Sequence, residues 1–426
     1  MSTQHHLATA VRARFRHGIV LVCLASLVAT IAGVQPAVAL TQLPDTTYKL
    51  RGKVFALAEA VTDGTPYIYI GGKFSRASEQ DGGHPYDVSA VARFTLDGIG
   101  DPSFHPIVSK DQAGTLPASV FAVAVSADGS VLYLGGKFSY VNGEAHKNLA
   151  AVSTADGQLI PGFNPVVGSN VNTILPEAGG TRIFIGGSFN NVDSVTVTRL
   201  AALDAATGVP DATWTPSADS TVRTLVYATD AASIFVSGHF ATINGQPRQS
   251  IARLNPDGTL NDWQAQPGII PTPMTCWDVT SSATAVYLGC GAGPNFSAAF
   301  SLISGTIGTK IWKKGTPGNV EGVALTPDGT GLLVGGHFGT NHTTDPICGG
   351  TMELHGLSEE SVTDGEFQCW APHLYPDQNN AKGAWTLLVD SQGHVWAGGW
   401  FTEICFPDDT LPENCVPQQS IARFTI

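Results

Sequence analysis

Three loop regions carry the groups in this chain best placed to hold a ligand or move a proton. The first holds Asp81, His84 and Tyr86, the second His342, His373 and Tyr375, and the third Asp408, Asp409 and Glu413. His337 and Trp400 stand just before two of these stretches. Carboxylates and imidazoles do acid–base work in catalytic sites, and Tyr and Trp give an apolar body with a polar tip suited to recognition. Two facing carboxylates, such as Asp81 with Asp408 or Glu413, would serve glycoside hydrolysis. A Gly-x-Ser-x-Gly elbow and a His-Glu-x-x-His pair are both missing, so serine-hydrolase and zinc-protease chemistry have no support. Oxygen ligands for Ca²⁺ abound, yet no spacing is specific for it. No catalytic residue and no metal ligand is assigned.

The cysteines point elsewhere. Of seven, one (Cys23) lies near the N-terminus and six lie beyond residue 275. An even number in an exported chain implies disulfides. The expected pairs are sequential: Cys276 with Cys290 across an apolar hairpin, Cys348 with Cys369, and Cys405 with Cys415. No Cys-x-x-Cys supports zinc instead.

Export itself is read from residues 1–39. Arg12, Arg14 and Arg16 precede an apolar run from Gly18 to Val34, and Ala37-Val38-Ala39 is a small-x-small cleavage signal. The alternative is a retained anchor, for which the run is slightly short of the roughly 20 residues a span needs. The whole chain carries a net charge of −13. Cleavage removes three arginines and no acid, leaving it more negative still. An acidic surface disfavours nucleic acid and anionic membrane.

The elements that must position these groups repeat. An apolar strand, two small residues, one variable residue and Phe recur at Tyr67–Phe74, Val131–Phe138, Arg182–Phe189, Ser233–Phe240, Leu332–Phe338 and Val395–Phe401, with a degenerate copy at Ala285–Gly291. The second small residues fall at 72, 136, 187, 238, 290, 336 and 399. Short strands at a period of roughly 40 to 55 residues mark a β-propeller. Asp-Gly pairs at 63–64, 97–98, 128–129, 156–157, 257–258, 328–329 and 364–365 supply hairpin turns. Each unit then reads as four strands, the fourth ending in an aromatic: Phe104, Phe163, Trp214, Trp263, Trp312 and Trp370. The last unit stops after its third strand. Thr46–Arg51, with Tyr48 as the missing aromatic, is expected to complete it. The expected fold is therefore all-β: a seven-bladed β-propeller of four-stranded antiparallel blades over residues 40–426, closed by the N-terminal strand.

The stretch Ile234-Phe-Val-Ser-Gly-His-Phe240, followed by Ile243-Asn-Gly245 and Ser250-Ile-Ala-Arg-Leu-Asn-Pro-Asp-Gly258, resembles the delta-60 repeat, a β-propeller repeat of exported bacterial proteins of uncharacterised function. A looser similarity exists to kelch-type propellers. The resemblance implies fold and export, and brings no catalytic residues.

Loops after the second strand are lengthened in units one, six and seven, and these units become neighbours once a ring closes. Loops on a rigid scaffold are where binding function concentrates. The expectation is a secreted, monomeric binding or scaffold module. It would recognise an extracellular protein or glycan through Asp81, His84, Tyr86, His337, His373, Tyr375, Trp400, Asp408, Asp409 and Glu413. The alternative is a carbohydrate-active hydrolase or lyase on the same face. The residue before each Phe (Lys73, Lys137, Ser188, His239, His337, Trp400) would share one level, as a polar mouth or as ordinary exposed positions.

Overall fold

The computed structural model describes residues 40–425, except 42, 339–341, 346–349, 376–381 and 406–414, and the side chains of 342–345 and 350–353. The expected leader, Cys348, Asp408, Asp409 and Glu413 lie outside the described residues. Among those described, the chain is all-β and contains no helix.

Each copy of the phrase forms the middle strand of an antiparallel sheet. In the second unit Ser119–Val125 pairs with Val131–Lys137, which pairs with Leu149–Ser153. The turns form as their residues dictate. Gly129 takes φ 77° and Gly258 φ 85°, and the preceding Asp accepts the N–H two residues on, as Asp128 does from Ser130 (3.1 Å) and Asp257 from Thr259 (2.9 Å).

The fourth strand departs from expectation. In most units it shrinks to a single bridge, such as Val152 with Leu159 or Leu203 with Pro210. In units two and three prolines contribute, because Pro161, Pro165 and Pro210 cannot donate to a ladder; unit four is equally short, with the single bridge Leu254 to Leu260 and no such proline. Unit five, whose phrase is the most degenerate, carries instead a full four-stranded sheet ending in Lys310–Gly315. The aromatics that close this region are buried in six units, from Phe104 to Trp370, and Tyr48 is partly buried. Most pack on an aromatic of the second strand, as Phe163 does on Tyr133 (5.5 Å) and Trp214 on Phe184 (5.0 Å).

The double glycine has a physical reason at both positions. A Cβ on Gly71 would lie 2.8 Å from Val123 of the next unit, and one on Gly72 would strike the Lys53 carbonyl of its own first strand. The first small residue lets adjacent sheets nest, and the second lets the first strand bulge. Core clusters span consecutive sheets, and one joins Trp396 and Ile421 of the last sheet to Ile68 and Ile70 of the first. There a Cβ on Gly398 would strike Val54.

The two ends of the described chain meet. Thr41 and Asp45 donate their N–H groups to the carbonyls of Thr425 and Arg423, each at 2.8 Å. Arg423 Nε donates to the Asp45 carboxylate at 2.9 Å, just as Arg93 pairs with Asp101 in unit one. The pairing segment thus lies slightly ahead of the expected Thr46–Arg51, and Lys49 already begins the first strand of unit one, Lys49–Thr62. Tyr48 follows Asp45 at the spacing of Phe104 after Asp101, and its ring meets Phe94 edge-on at 6.0 Å.

Candidate functional site

Every first strand is interrupted at the same place. Its register with the middle strand slips at Phe55, Phe121, Asn172, Arg223, Trp277, Glu321 and Trp385 in turn. A bulge re-aims a side chain out of the regular alternation. All of these side chains line one cavity of about 530 Å³.

The lining has two arcs. Trp385, Phe55 and Phe121 form a continuous aromatic wall. The Phe55 and Trp385 rings lie 5.5 Å apart and 8° from parallel, and Phe121 meets Phe55 edge-on at 5.4 Å. The other arc is polar. The Arg223 guanidinium sits 4.2 Å from the Trp277 ring centre, and Asn172 Nδ2 donates to the Val222 carbonyl at 2.8 Å. Glu321 holds His337 at 3.2 Å, which raises the His337 pKa. Beside them, burial pushes Asp278 up to about 6, although its two oxygens accept the N–H groups of Val279 (2.9 Å) and Val323 (3.0 Å).

The pair just ahead of each bulge faces the second small residue: Val54 with Gly72, Val120 with Gly136, Val222 with Gly238. In unit five that pair is Cys276 with Cys290, joined by a disulfide with Cα atoms 3.9 Å apart. A covalent link replaces the close approach that glycine allows elsewhere. The Cys405–Cys415 pair also forms. Cys369 is disulfide-bonded.

The residues singled out from sequence fall into three places. His337 and Trp400 do not line this cavity but connect to side chains that do. His337 is bonded to Glu321, and Trp400 shares Lys53 with Trp385, the ammonium lying 3.9 and 5.3 Å from the two rings. Of the other residues before Phe, Ser188 lines the cavity itself, and His239 bonds Thr275 of the next unit at 2.7 Å. A second place is Glu79, which meets His84 at 2.9 Å and Tyr48 at 3.3 Å. Tyr86 packs on Tyr48 at 6.3 Å, and burial raises its pKa. Asp81 is exposed and caps the N–H of Gly83 at 2.7 Å. In the third, buried His373 lies 4.4 Å from His355, with Tyr375 at 5.6 Å from the same ring. No described contact joins these three places. A further cavity of about 500 Å³ lies in unit one among Arg51, Arg76 and His105, and none of the sequence-singled residues lines it. Glu403 lies close to Cys405 and Cys415, but those sulfurs are already bonded to each other.

The bulge residues escaped the sequence reading because their types differ from unit to unit. Their signal was positional: each stands 13 to 17 residues ahead of the second small residue and directly after Val, Cys or Ala.

Comparisons with known proteins agree with this architecture. The model of a family described as "Domain of unknown function (DUF5122) beta-propeller" matches residues 233–262, the stretch holding the fullest copy of the phrase. No curated protein sequence matches the chain. Among solved structures, U3-55K is similar at TM-score 0.54 and 12% identity, covering 90% of this chain and 100% of its own. The extracellular domain of BT4673 from B. thetaiotaomicron is similar at TM-score 0.50 and 13% identity, with 90% of this chain covered. The match takes in only 40% of the BT4673 chain, so the present chain spans two fifths of that relative's length. At such identities the likeness is one of fold, and the fold is that of a β-propeller.

Proposed function

We propose that this chain is an exported, monomeric β-propeller of seven blades, closed between its termini, that works as a ligand-binding module. One observation carries the reading: a bulge in every unit turns one side chain into a single axial cavity. Repeating a backbone irregularity while varying its side chain suits recognition, since the scaffold stays constant and the lining is free to match a ligand. Closure is supported by the Asp45–Arg423 and Thr41–Thr425 contacts and by the cluster linking Trp396 to Ile68. Export is supported by the leader signals and the disulfides.

The ligand end enters the cavity, and the surface next to it at Trp400 and His337 continues outward to loops of units six, seven and one. In this reading Asp81, His84, Tyr86 and Tyr375 belong to that outer surface, and buried His373 lies beneath it. The partner is an extracellular protein or glycan whose exposed end fits the axial opening. The hydrolase or lyase alternative gains little from the cavity acids, since Glu321 holds His337 and both oxygens of Asp278 hold backbone N–H groups.

Capture on glycan and peptide arrays tests the reading. Trp385→Ala and Phe121→Ala are expected to weaken captured ligands at least tenfold, with Trp400→Ala weakening them less. Unchanged capture by the Trp385 and Phe121 variants, with the fold verified by circular dichroism, would remove the cavity from the function.

A further inference from the structure

Arg223, Trp277 and Trp385 line the axial cavity, and each buries one nitrogen, Nε of Arg223 and the two indole nitrogens, for which the described residues supply no acceptor. Buried donors are ordinarily matched, and a charged one left unmatched is especially unfavourable. Arg223 is the most informative. Its guanidinium lies over the Trp277 face, and no described carboxylate approaches it within ion-pair distance. Glu321, the acid whose field reaches it, is held by His337. An arginine remains charged even when burial lowers its pKa, and its planar fork matches a carboxylate with two parallel bonds.

The rest of the cavity narrows the chemistry. The aromatic arc of Trp385, Phe55 and Phe121 offers flat apolar faces. A volume of about 530 Å³ falls inside the roughly 300–1,000 Å³ typical of small-molecule sites. Lys53 reaches over both Trp385 and Trp400, Lys382 lies 5.1 Å from Trp400, and Lys73 is the register partner of Lys53. Cations gathered at the rim of a chain with net charge −13 create a local field that draws anions inward.

The geometry points to a carboxylate carried on a six-membered ring as the ligand class: Arg223 grips the carboxylate, and one face of the ring lies on the aromatic arc. This assignment rests on the axial cavity being the binding site. Aromatic acids and uronic acids share the chemistry.

The test is calorimetric titration of the purified full chain with benzoate and with D-glucuronate, beside benzamide and D-glucose as uncharged counterparts. We expect saturable one-to-one binding of at least one acid, at least tenfold tighter than its counterpart, with tryptophan emission changing in step. Whichever acid binds identifies the source of the ring. Arg223→Gln should lose tenfold or more, and Arg223→Lys should recover only part, since an ammonium cannot form the fork. Should the Arg223 variants fail to fold, Lys53→Glu with Lys73→Glu should weaken the acid several-fold more than the neutral probe, and equal weakening of the two would count against the assignment. Equal binding of acid and counterpart, or full affinity in Arg223→Gln, overturns the carboxylate assignment and leaves the cavity as the site. Failure of both acids to bind at millimolar concentration overturns it as well; array capture lost in Trp385→Ala would then show that the broader reading survives.

Discussion

Phe55 and Trp385 lie face to face, 5.5 Å apart and 8° from parallel, although one comes from the first repeated sheet and the other from the last. The contact ties the two ends of the chain at the wall of the axial cavity. Removing one ring forfeits its packing and the stacking increment, each modest for half-buried groups. We expect Phe55→Ala to lower stability by about 1–2 kcal/mol and to shift Trp385 emission to longer wavelength. Urea denaturation followed by fluorescence measures both. Wild-type stability in this variant would mean that the terminal sheets do not share load through this pair.

Gly398 offers a sharper test of the same junction, because an added methyl strikes Val54 of the first unit. Gly398→Ala should cost about 1–3 kcal/mol through overpacking, and Val54→Ala in the same chain should restore part of it. Gly179→Ala, where nothing lies within 4 Å, serves as the near-neutral comparison. Equal midpoints for Gly398→Ala and Gly179→Ala would show that the two sheets do not nest there.

The Cys276–Cys290 disulfide occupies the position of a Val–Gly pair in other units. Replacing it with Cys276→Val and Cys290→Gly should keep the fold, visible as an unchanged near-ultraviolet spectrum. The expected loss is about 2–3 kcal/mol, from the extra freedom of a short loop in the unfolded chain. A variant that cannot fold would assign the disulfide a role beyond stapling.

Glu360 is fully buried and its carboxyl is bonded to Ser297 at 2.6 Å. Burial raises its pKa from 4.5 to about 8. The folded state therefore holds a proton that the unfolded chain releases earlier. The stabilisation from this group is complete below about pH 4.5 and is lost as pH rises through about 8. Glu360→Gln should remove that slope, so that the variant gains on the wild type between pH 5 and 8 in thermal melts. Parallel pH profiles for the two proteins would contradict the assignment.

Much of the architecture was legible in particular residues. The paired small residues announced both the period and the crowding they relieve at Gly71 and Gly72. The Asp-Gly turns announced their own geometry, as at Asp128-Gly129. Tyr48 could be recognised as the missing aromatic because its spacing to Gly72 repeats that of Phe163 to Gly187. The short fourth strand was not legible, because an aromatic at its end reads as a strand, while in units two and three Pro161 and Pro210 limit its ladder. The cavity lining was hidden for another reason. Bulges break the two-residue alternation by which strands are read, and Phe55, Asn172, Arg223 and Glu321 share no chemistry that a pattern search would gather. The polar loops drew the reading instead, and of their candidates only His337 and Trp400 connect to side chains of the axial cavity, through Glu321 and Lys53.

The side chains of the lumen hang from kinks that glycine and the adjoining small residue allow, and no kink depends on the identity of the group it presents. Each blade thus offers one interchangeable pin in a common socket. Drift or deliberate redesign can rewrite the chemistry of the lumen one pin at a time, without asking any sheet to find a new way to fold.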